Sequence, residues 1–82
     1  MELNNLLKEI VKNITKFPLE DEERVLEFLE HDEWGIALEV ICSVIEQEGI
    51  PVDKDIFSKI EEAGIFMEMD KTLWVEIGKQ IK

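Results

Sequence analysis

Residues 34 to 45 read Trp-Gly-Ile-Ala-Leu-Glu-Val-Ile-Cys-Ser-Val-Ile, and nine of these twelve residues are apolar. A helix that is apolar around most of its circumference must be surrounded by protein on most sides. The sequence therefore predicts a central helix over about residues 33–48, with Asp32 as its N-cap. Gly49-Ile50-Pro51 then stops the helix, because glycine adopts the left-handed conformation, Ile50 can touch Ile45 across the turn, and proline cannot continue the helix.

The segments before this helix have helical periodicity as well. Apolar residues recur at three- and four-residue spacing between Leu3 and Phe17, which predicts an amphipathic helix over residues 3–16. Pro18 ends it, because the residue before a proline avoids helical dihedral angles. A short second helix follows, with acidic residues in its first turn, where they face the positive end of the helix dipole, and with its end near His31.

The segments after the turn predict one or two further helices. Asp53 is expected to cap a fourth helix, and Gly64 can split that helix in two. Asp70 is expected to begin the last helix in the same way. The sequence therefore predicts an all-α fold, in which residues 1–82 form a single domain: a compact bundle of four to five short helices with the helix near 33–48 at its centre.

The charge of the chain is concentrated in one third of it. The net charge is −11, and the stretch from Glu20 to Glu48 holds eleven acidic residues opposed by Arg24 alone. A strongly acidic chain is repelled by phosphate backbones and anionic lipids, so we expect neither nucleic acid nor membrane as a direct partner. Basic proteins are the expected partners.

The acidic residues fall into two stripes when they are placed on the predicted helices. The first stripe, on the second helix, consists of Glu20, Glu23, Glu27 and Glu30, and the second stripe, on the third helix, consists of Glu39, Ser43 and Glu46. The short connection between these helices suggests antiparallel packing, which could merge the stripes into one face. The alternative is an ordinary solvated surface without a partner.

The residues of most enzyme chemistry are nearly absent. His31 is the one histidine, at a predicted helix end, and no second histidine or cysteine completes a zinc site. Cys42 lies in the most apolar helix, where burial raises the pKa of a thiol and makes it inert. Asp53-x-Asp55 begins like a calcium loop, but Phe57 occupies the next ligand position and the required glycine is missing. We therefore expect no catalytic, cofactor-binding or metal-binding residues.

The chain also has features of a cytoplasmic protein. A single cysteine cannot form an internal disulfide, and a small domain that needs none fits a reducing cytosol. The amino terminus lacks the basic start and apolar run of a signal peptide. The apolar segment from Trp34 to Ile45 is too short to span a membrane. The expected location is the cytoplasm.

One family resemblance lies in the same acidic segment. Residues 30–39 read Glu-His-Asp-Glu-Trp-Gly-Ile-Ala-Leu-Glu, after Val-Leu-Glu-Phe-Leu at 25–29 and before Glu-Gly-Ile-Pro-Val at 48–52. This pattern resembles the MafI-type immunity proteins of bacterial polymorphic toxin and contact-dependent inhibition systems, which share a Glu-aromatic-Gly-x-Ala-Leu-Glu helix start and a later Ile-Pro turn. The similarity covers roughly residues 24–75. The shared residues are Glu33, Gly35, Ala37, Leu38 and Glu39.

The resemblance implies a non-enzymatic inhibitor. Such proteins bind and neutralise a cognate toxin domain, often a nuclease with a basic cleft, and an acidic helical face suits that target. The partner would be the toxin's C-terminal domain, an RNase or a DNase. The expected contact residues are Glu23, Glu27, Glu30, Glu33, Trp34, Glu39 and Glu46. Trp34 acts as an anchor only if part of its ring stays exposed, and a place in the core is the alternative for it.

A second hypothesis has the same electrostatic basis. The chain can be an acidic helical adaptor or regulatory module that binds another basic protein. The gene order separates the two hypotheses, because an immunity gene should directly follow the gene of a large secreted toxin. A third reading, a small enzyme or metal-binding bundle, would require a polar pocket or a bound metal.

Overall fold

The computed structural model describes residues 2–79 and 81, and within them the chain forms five α-helices and no strand. The helices are α1 (Leu3–Asn13), α2 (Leu19–Glu30), α3 (Trp34–Glu48), α4 (Lys54–Phe66) and α5 (Thr72–Lys79). The prediction of an all-α bundle of short helices is confirmed. Over the described part of the chain, no helix has both the length and the apolar character needed to cross a bilayer.

Helix α3 lies at the centre of the bundle, as its composition predicted. It packs against each of the other four helices, most extensively against α2. Leu38, Ile41 and Ile45 of α3 are almost completely buried. Helix α1 packs against α2, α3 and α4, and α5 packs against α3 and α4. Among the described residues, the core contains no buried polar or charged side chain, so its stability depends on apolar burial and packing.

Three helices end in the same kind of turn. The Schellman turn places one residue in the left-handed region and returns the next backbone N–H to a carbonyl in the last helical turn. The left-handed residues are Asp32 after α2 (φ 56°), Gly49 after α3 (φ 60°) and Glu68 after α4 (φ 56°). The returning hydrogen bonds join Glu33 N to Phe28 O (2.9 Å), Ile50 N to Ile45 O (3.0 Å) and Met69 N to Gly64 O (2.9 Å).

The turn after α3 matches the sequence prediction, and the turn after α2 corrects it. Gly49 is left-handed as expected, and Ile50 and Ile45 are both buried. Asp32, however, does not cap α3. It occupies the left-handed position that ends α2, and the residue before α3 is Glu33, whose side chain makes no capping hydrogen bond. Aspartate suits either position, because its short side chain also tolerates the left-handed region.

Helix α1 is shorter than predicted. It ends at Asn13, where the side-chain amide donates a hydrogen bond to the Glu9 carbonyl at 2.7 Å, and Ile14 is extended. Ile14 and Phe17 are nevertheless buried. The apolar spacing therefore predicted which residues enter the core but not that the last two do so from a non-helical segment.

Helix α4 is not split at Gly64. The side chain of Asp53 caps this helix as predicted, accepting a hydrogen bond from the Ile56 backbone N–H at 2.8 Å. The helix then continues through Gly64 to Phe66. Gly64 serves a packing role instead, because the Trp74 ring of α5 lies directly against its Cα. The two helices approach each other here closely enough that only glycine fits.

Helix α5 begins two residues later than its predicted start. The Asp70 carboxylate accepts a hydrogen bond from the Thr72 backbone N–H at 3.0 Å, and α5 begins at Thr72. This hydrogen bond stabilises the charged carboxylate and lowers the pKa of Asp70. Asp70 therefore organises the start of the helix, as expected, from a position two residues before its first helical residue.

Substituting Gly64 tests the contact between α4 and α5. In Gly64→Ala the new methyl group would overlap the Trp74 ring, which is buried and cannot move aside without repacking the core. We expect the free energy of unfolding to fall by about 1–3 kcal/mol, measured by urea denaturation. The control is Gly35→Ala in α3, where an added Cβ meets no atom within 4 Å. Equal stability of the two variants would show that the ring does not restrict residue 64.

Replacing the left-handed Glu68 by glycine is expected to stabilise the protein. A non-glycine residue in this region is strained by roughly 1–2 kcal/mol, and glycine removes that strain. The greater conformational entropy of glycine in the unfolded chain offsets part of this gain. Glu68→Gly should therefore raise the free energy of unfolding by about 1 kcal/mol. The control, Glu62→Gly, removes the same side chain from inside α4 and should lower it by about 0.5–1 kcal/mol. A loss of stability in both variants would contradict the strained turn.

Candidate functional site

The first acidic stripe lies on the outer face of α2. Val25 and Leu29 lie on the opposite face of this helix and are buried in the core. Because residues three and four apart share one side of a helix, the acids of the stripe stand in a row along the solvent side. All four of its members, Glu20, Glu23, Glu27 and Glu30, are exposed.

The second stripe lies on the exposed side of α3. Glu39, Ser43 and Glu46 are all exposed, whereas Leu38, Ile41 and Ile45 on the same helix are buried. The amphipathic pattern of α3 therefore places these three residues correctly. Since α3 packs against all other helices, this narrow exposed side is the part of the central helix that a partner could reach.

A groove runs between α2 and α3 and separates the two stripes. It has a volume of about 400 Å³. The α2 wall consists of Asp21 and Arg24, and the α3 side consists of Ile36, Glu39, Val40, Ser43, Val44, Gln47 and Glu48. Arg24 donates to the Asp21 carboxylate at 3.1 Å, so a neutralised pair lies between the stripes. Of the two stripes, Glu39 and Ser43 line this groove, whereas Glu46 and all four members of the first stripe lie outside its lining.

The ion pairs of the described residues lie beside the two stripes rather than within them. They join Lys12 to Glu22 (3.8 Å), Arg24 to Asp21 (3.1 Å), Lys59 to Glu9 (2.6 Å) and Asp55 (3.2 Å), and Lys79 to Glu76 (3.2 Å). Within residues 2–79 and 81, no stripe glutamate takes part in a salt bridge. The side chain of Glu22 pairs with α1, on a different side of α2 from the stripe. The stripe glutamates of the described chain therefore form no ion pair, and Arg24, which lies beside Glu20, Glu23 and Glu27, pairs with Asp21 instead.

Trp34 is partly buried at the start of α3. Its indole N–H donates a hydrogen bond to the Asn4 side-chain oxygen at 3.2 Å, and its ring packs against the core. This contact ties the first turn of α3 to the first turn of α1. The part of the ring that remains exposed is compatible with the predicted anchor role, which stays a prediction. Its neighbour Glu33 is fully on the surface.

The other candidate reactive residues are a buried thiol and an exposed imidazole. Burial, followed by the charge of Glu46, raises the pKa of Cys42 to about 12, so the thiol stays protonated. His31 is exposed at the end of α2. In the part of the chain that the structure describes, no three histidine, cysteine or acidic side chains are grouped as a metal site would need.

The sequence pattern missed the groove. Ile36 belongs to the apolar run that predicts a central helix, yet 43% of it is exposed, and the sequence spacing does not predict that Asp21 and Arg24 face α3. Arg24 is one residue before the buried Val25 and five before the buried Leu29. This helical spacing indicates that Arg24 lies beside the acidic stripe and not within it. The position of Ile36 depends on how far α2 covers α3, which the sequence does not express.

Comparison of the chain with protein-family models, with curated proteins and with solved structures finds no match. The immunity-protein hypothesis therefore depends on the sequence features quoted above and on the charge distribution of the folded protein.

The buried thiol gives a test of the core. Because Cys42 is almost inaccessible and its pKa is raised to about 12, a thiol-specific disulfide reagent should label the native protein at pH 8 only through unfolding. We expect labelling to be slow without urea and to accelerate through the unfolding transition. The control is Ser43→Cys, which places a thiol on the exposed neighbouring position and should react at once. Equally fast labelling of the wild-type protein would contradict the burial of Cys42.

Proposed function

We propose that this protein is an immunity protein: a stoichiometric, non-enzymatic inhibitor that binds a cognate toxin domain in the cytoplasm of the bacterium that makes the toxin. The observation that carries the proposal is the acidic face of α2 and α3, whose stripe glutamates take part in no ion pair among the described residues. The resemblance to MafI-type proteins supports it independently, since it includes the same two helices.

The proposed target is a basic nuclease domain, an RNase or a DNase. A nuclease holds its substrate with lysine and arginine side chains that contact phosphates. Carboxylates placed on a convex helical face can take the positions of those phosphates and exclude the substrate. Opposite charges would also steer the two proteins together, above the unsteered association range of about 10⁵–10⁶ M⁻¹s⁻¹.

The proposed contact residues belong to α2 and α3, the two most closely packed helices of the molecule, or directly precede α3. They are Glu23, Glu27 and Glu30 on α2, Glu33 and Trp34 at the start of α3, and Glu39 and Glu46 along α3. Exposed charges at such an interface act mainly on the association rate and its salt dependence. Apolar contacts at the centre would supply most of the remaining affinity.

The gene neighbourhood and a co-purification test the proposal most directly. The gene upstream should encode a large secreted protein, and its C-terminal domain should co-purify with this chain in a one-to-one complex. Expression of that domain alone should arrest growth, and co-expression of this protein should restore it. If the neighbouring domain neither binds nor is neutralised, the immunity proposal is wrong, and binding to an unrelated basic protein would favour the adaptor hypothesis.

A double charge reversal on α2 tests the acidic face. Glu27→Lys with Glu30→Lys should lower the association rate with the toxin domain by about tenfold or more at low salt, because it replaces attraction by repulsion. It should also flatten the dependence of the rate on salt, measured by stopped-flow or surface plasmon resonance. The matched control is Glu61→Lys with Glu62→Lys, which makes the same change of charge on exposed positions of α4. Equal effects of both pairs would mean that net charge, not this face, directs binding.

A further inference from the structure

The groove between α2 and α3 has an apolar floor surrounded by acids. Val40 is partly buried and Val44 is buried, while Ile36 is 43% exposed at the same groove. Three carboxylates line the groove around them: Asp21, Glu39 and Glu48. A single exposed isoleucine would need no explanation. An exposed isoleucine that lines one groove with three carboxylates and with more deeply buried valines combines the two parts of a protein interface, an apolar centre and a charged rim.

The charge of the rim decides which occupant fits. A second copy of this chain carries the same net charge of −11 and would bring acids against acids. Nucleic acid and anionic lipid are repelled for the same reason. A fully polar cationic segment would leave Ile36 in water and gain nothing from the floor. The complementary occupant presents an apolar side chain flanked by lysine or arginine.

We propose that this groove binds one amphipathic cationic segment of a partner protein, which places an apolar side chain on Ile36 and Val40 and basic side chains on Asp21, Glu39 and Glu48. The identity of the partner as the toxin domain rests on the proposed function, whereas the chemistry of the segment follows from the groove alone. The acidic stripes guide the approach, and Ile36 provides the contact that holds the segment in place.

Arg24 determines how the segment must lie. Among the described residues, it is the one basic residue that lines the groove, and its guanidinium donates to the Asp21 carboxylate at 3.1 Å. Its side chain is 60% exposed, and an exposed ion pair of this kind holds its geometry weakly. A basic side chain of the partner can therefore displace it from Asp21. The partner segment must avoid placing a second cation directly against the displaced guanidinium.

Two synthetic peptides and two variants test the groove without the toxin. The probe is a helical peptide with leucine on one face and lysine on the other, and its comparison peptide has the same lysines but serine for each leucine. We expect the leucine peptide to bind more tightly than the serine peptide at about 0.15 M ionic strength. The leucine peptide should change the backbone amide chemical shifts of the protein most strongly around Ile36 and Val40. Ile36→Ser should weaken the leucine peptide by roughly ten- to a hundredfold, the loss of one buried apolar side chain.

The control variant is Leu19→Ser, which removes a more exposed apolar side chain (69%) at the start of α2 and outside the groove. It should leave binding unchanged. The assignment is wrong if the two peptides bind with equal affinity or if neither binds. It is also wrong if the chemical-shift changes centre on the outer face of α2, or if Leu19→Ser weakens binding as much as Ile36→Ser does. Leu19→Ser should keep the wild-type unfolding midpoint, whereas Ile36→Ser should lower it, because more than half of Ile36 is buried. Binding is therefore measured at a temperature at which urea denaturation shows both variants to be folded.

The same variants applied to the toxin domain separate the two proposals. If the toxin domain binds wild type and Ile36→Ser equally well, the immunity function stands and the groove assignment is wrong. If the leucine peptide occupies the groove but the neighbouring gene's toxin domain does not bind, the groove assignment stands and the immunity function is wrong.

Discussion

The burial of α3 is the constraint on which the rest of the structure depends. Six of the fifteen residues in this helix are buried, and the helix packs against all four others to achieve this. The neighbouring helices are short, so none of them could cover α3 alone. The Schellman turns after α2, α3 and α4 reverse the chain within a few residues, and the turns after α2 and α3 flank the central helix. The tight turns are therefore needed to cover the apolar centre, because they let four short helices fold around one apolar helix.

The same constraint explains where the charges lie. Once α3 is covered, the solvent side of α2 and a narrow strip of α3 remain as the outer surface of the pair, and the acids of the chain are concentrated there. Like charges three and four residues apart, such as Glu23 and Glu27, destabilise a helix by a few tenths of a kcal/mol per pair. Arg24 lies beside these glutamates but forms its ion pair with Asp21, and Lys12 and Lys59 form theirs on other sides. An arrangement that costs stability and is not required by the core is typical of a binding surface.

The fold was predictable from the sequence where one physical signal acted alone. The sequence correctly predicted the central position of α3, the left-handed glycine at its end and the Asp53 cap, because each depends on local chemistry. The errors occurred where one residue type serves two purposes. Asp32 suits a cap and a left-handed turn, and Gly64 suits a helix end and a close helix contact. The choice in each case depends on a distant partner, such as the Trp74 ring against Gly64, which the local sequence does not contain.

The candidate site follows the same rule, and its least predictable residue is the most informative one. The stripes on α2 and α3 follow from helical spacing alone. The groove does not, because it depends on how completely α2 covers α3. Of the nine apolar residues between Trp34 and Ile45, six are buried, Trp34 and Val40 are partly buried, and Ile36 is exposed. Helix α3 is thus more apolar than its burial in this chain requires, and the excess faces the acidic groove. A partner segment that covered Ile36 would bury the apolar side chain of α3 that the other four helices leave exposed.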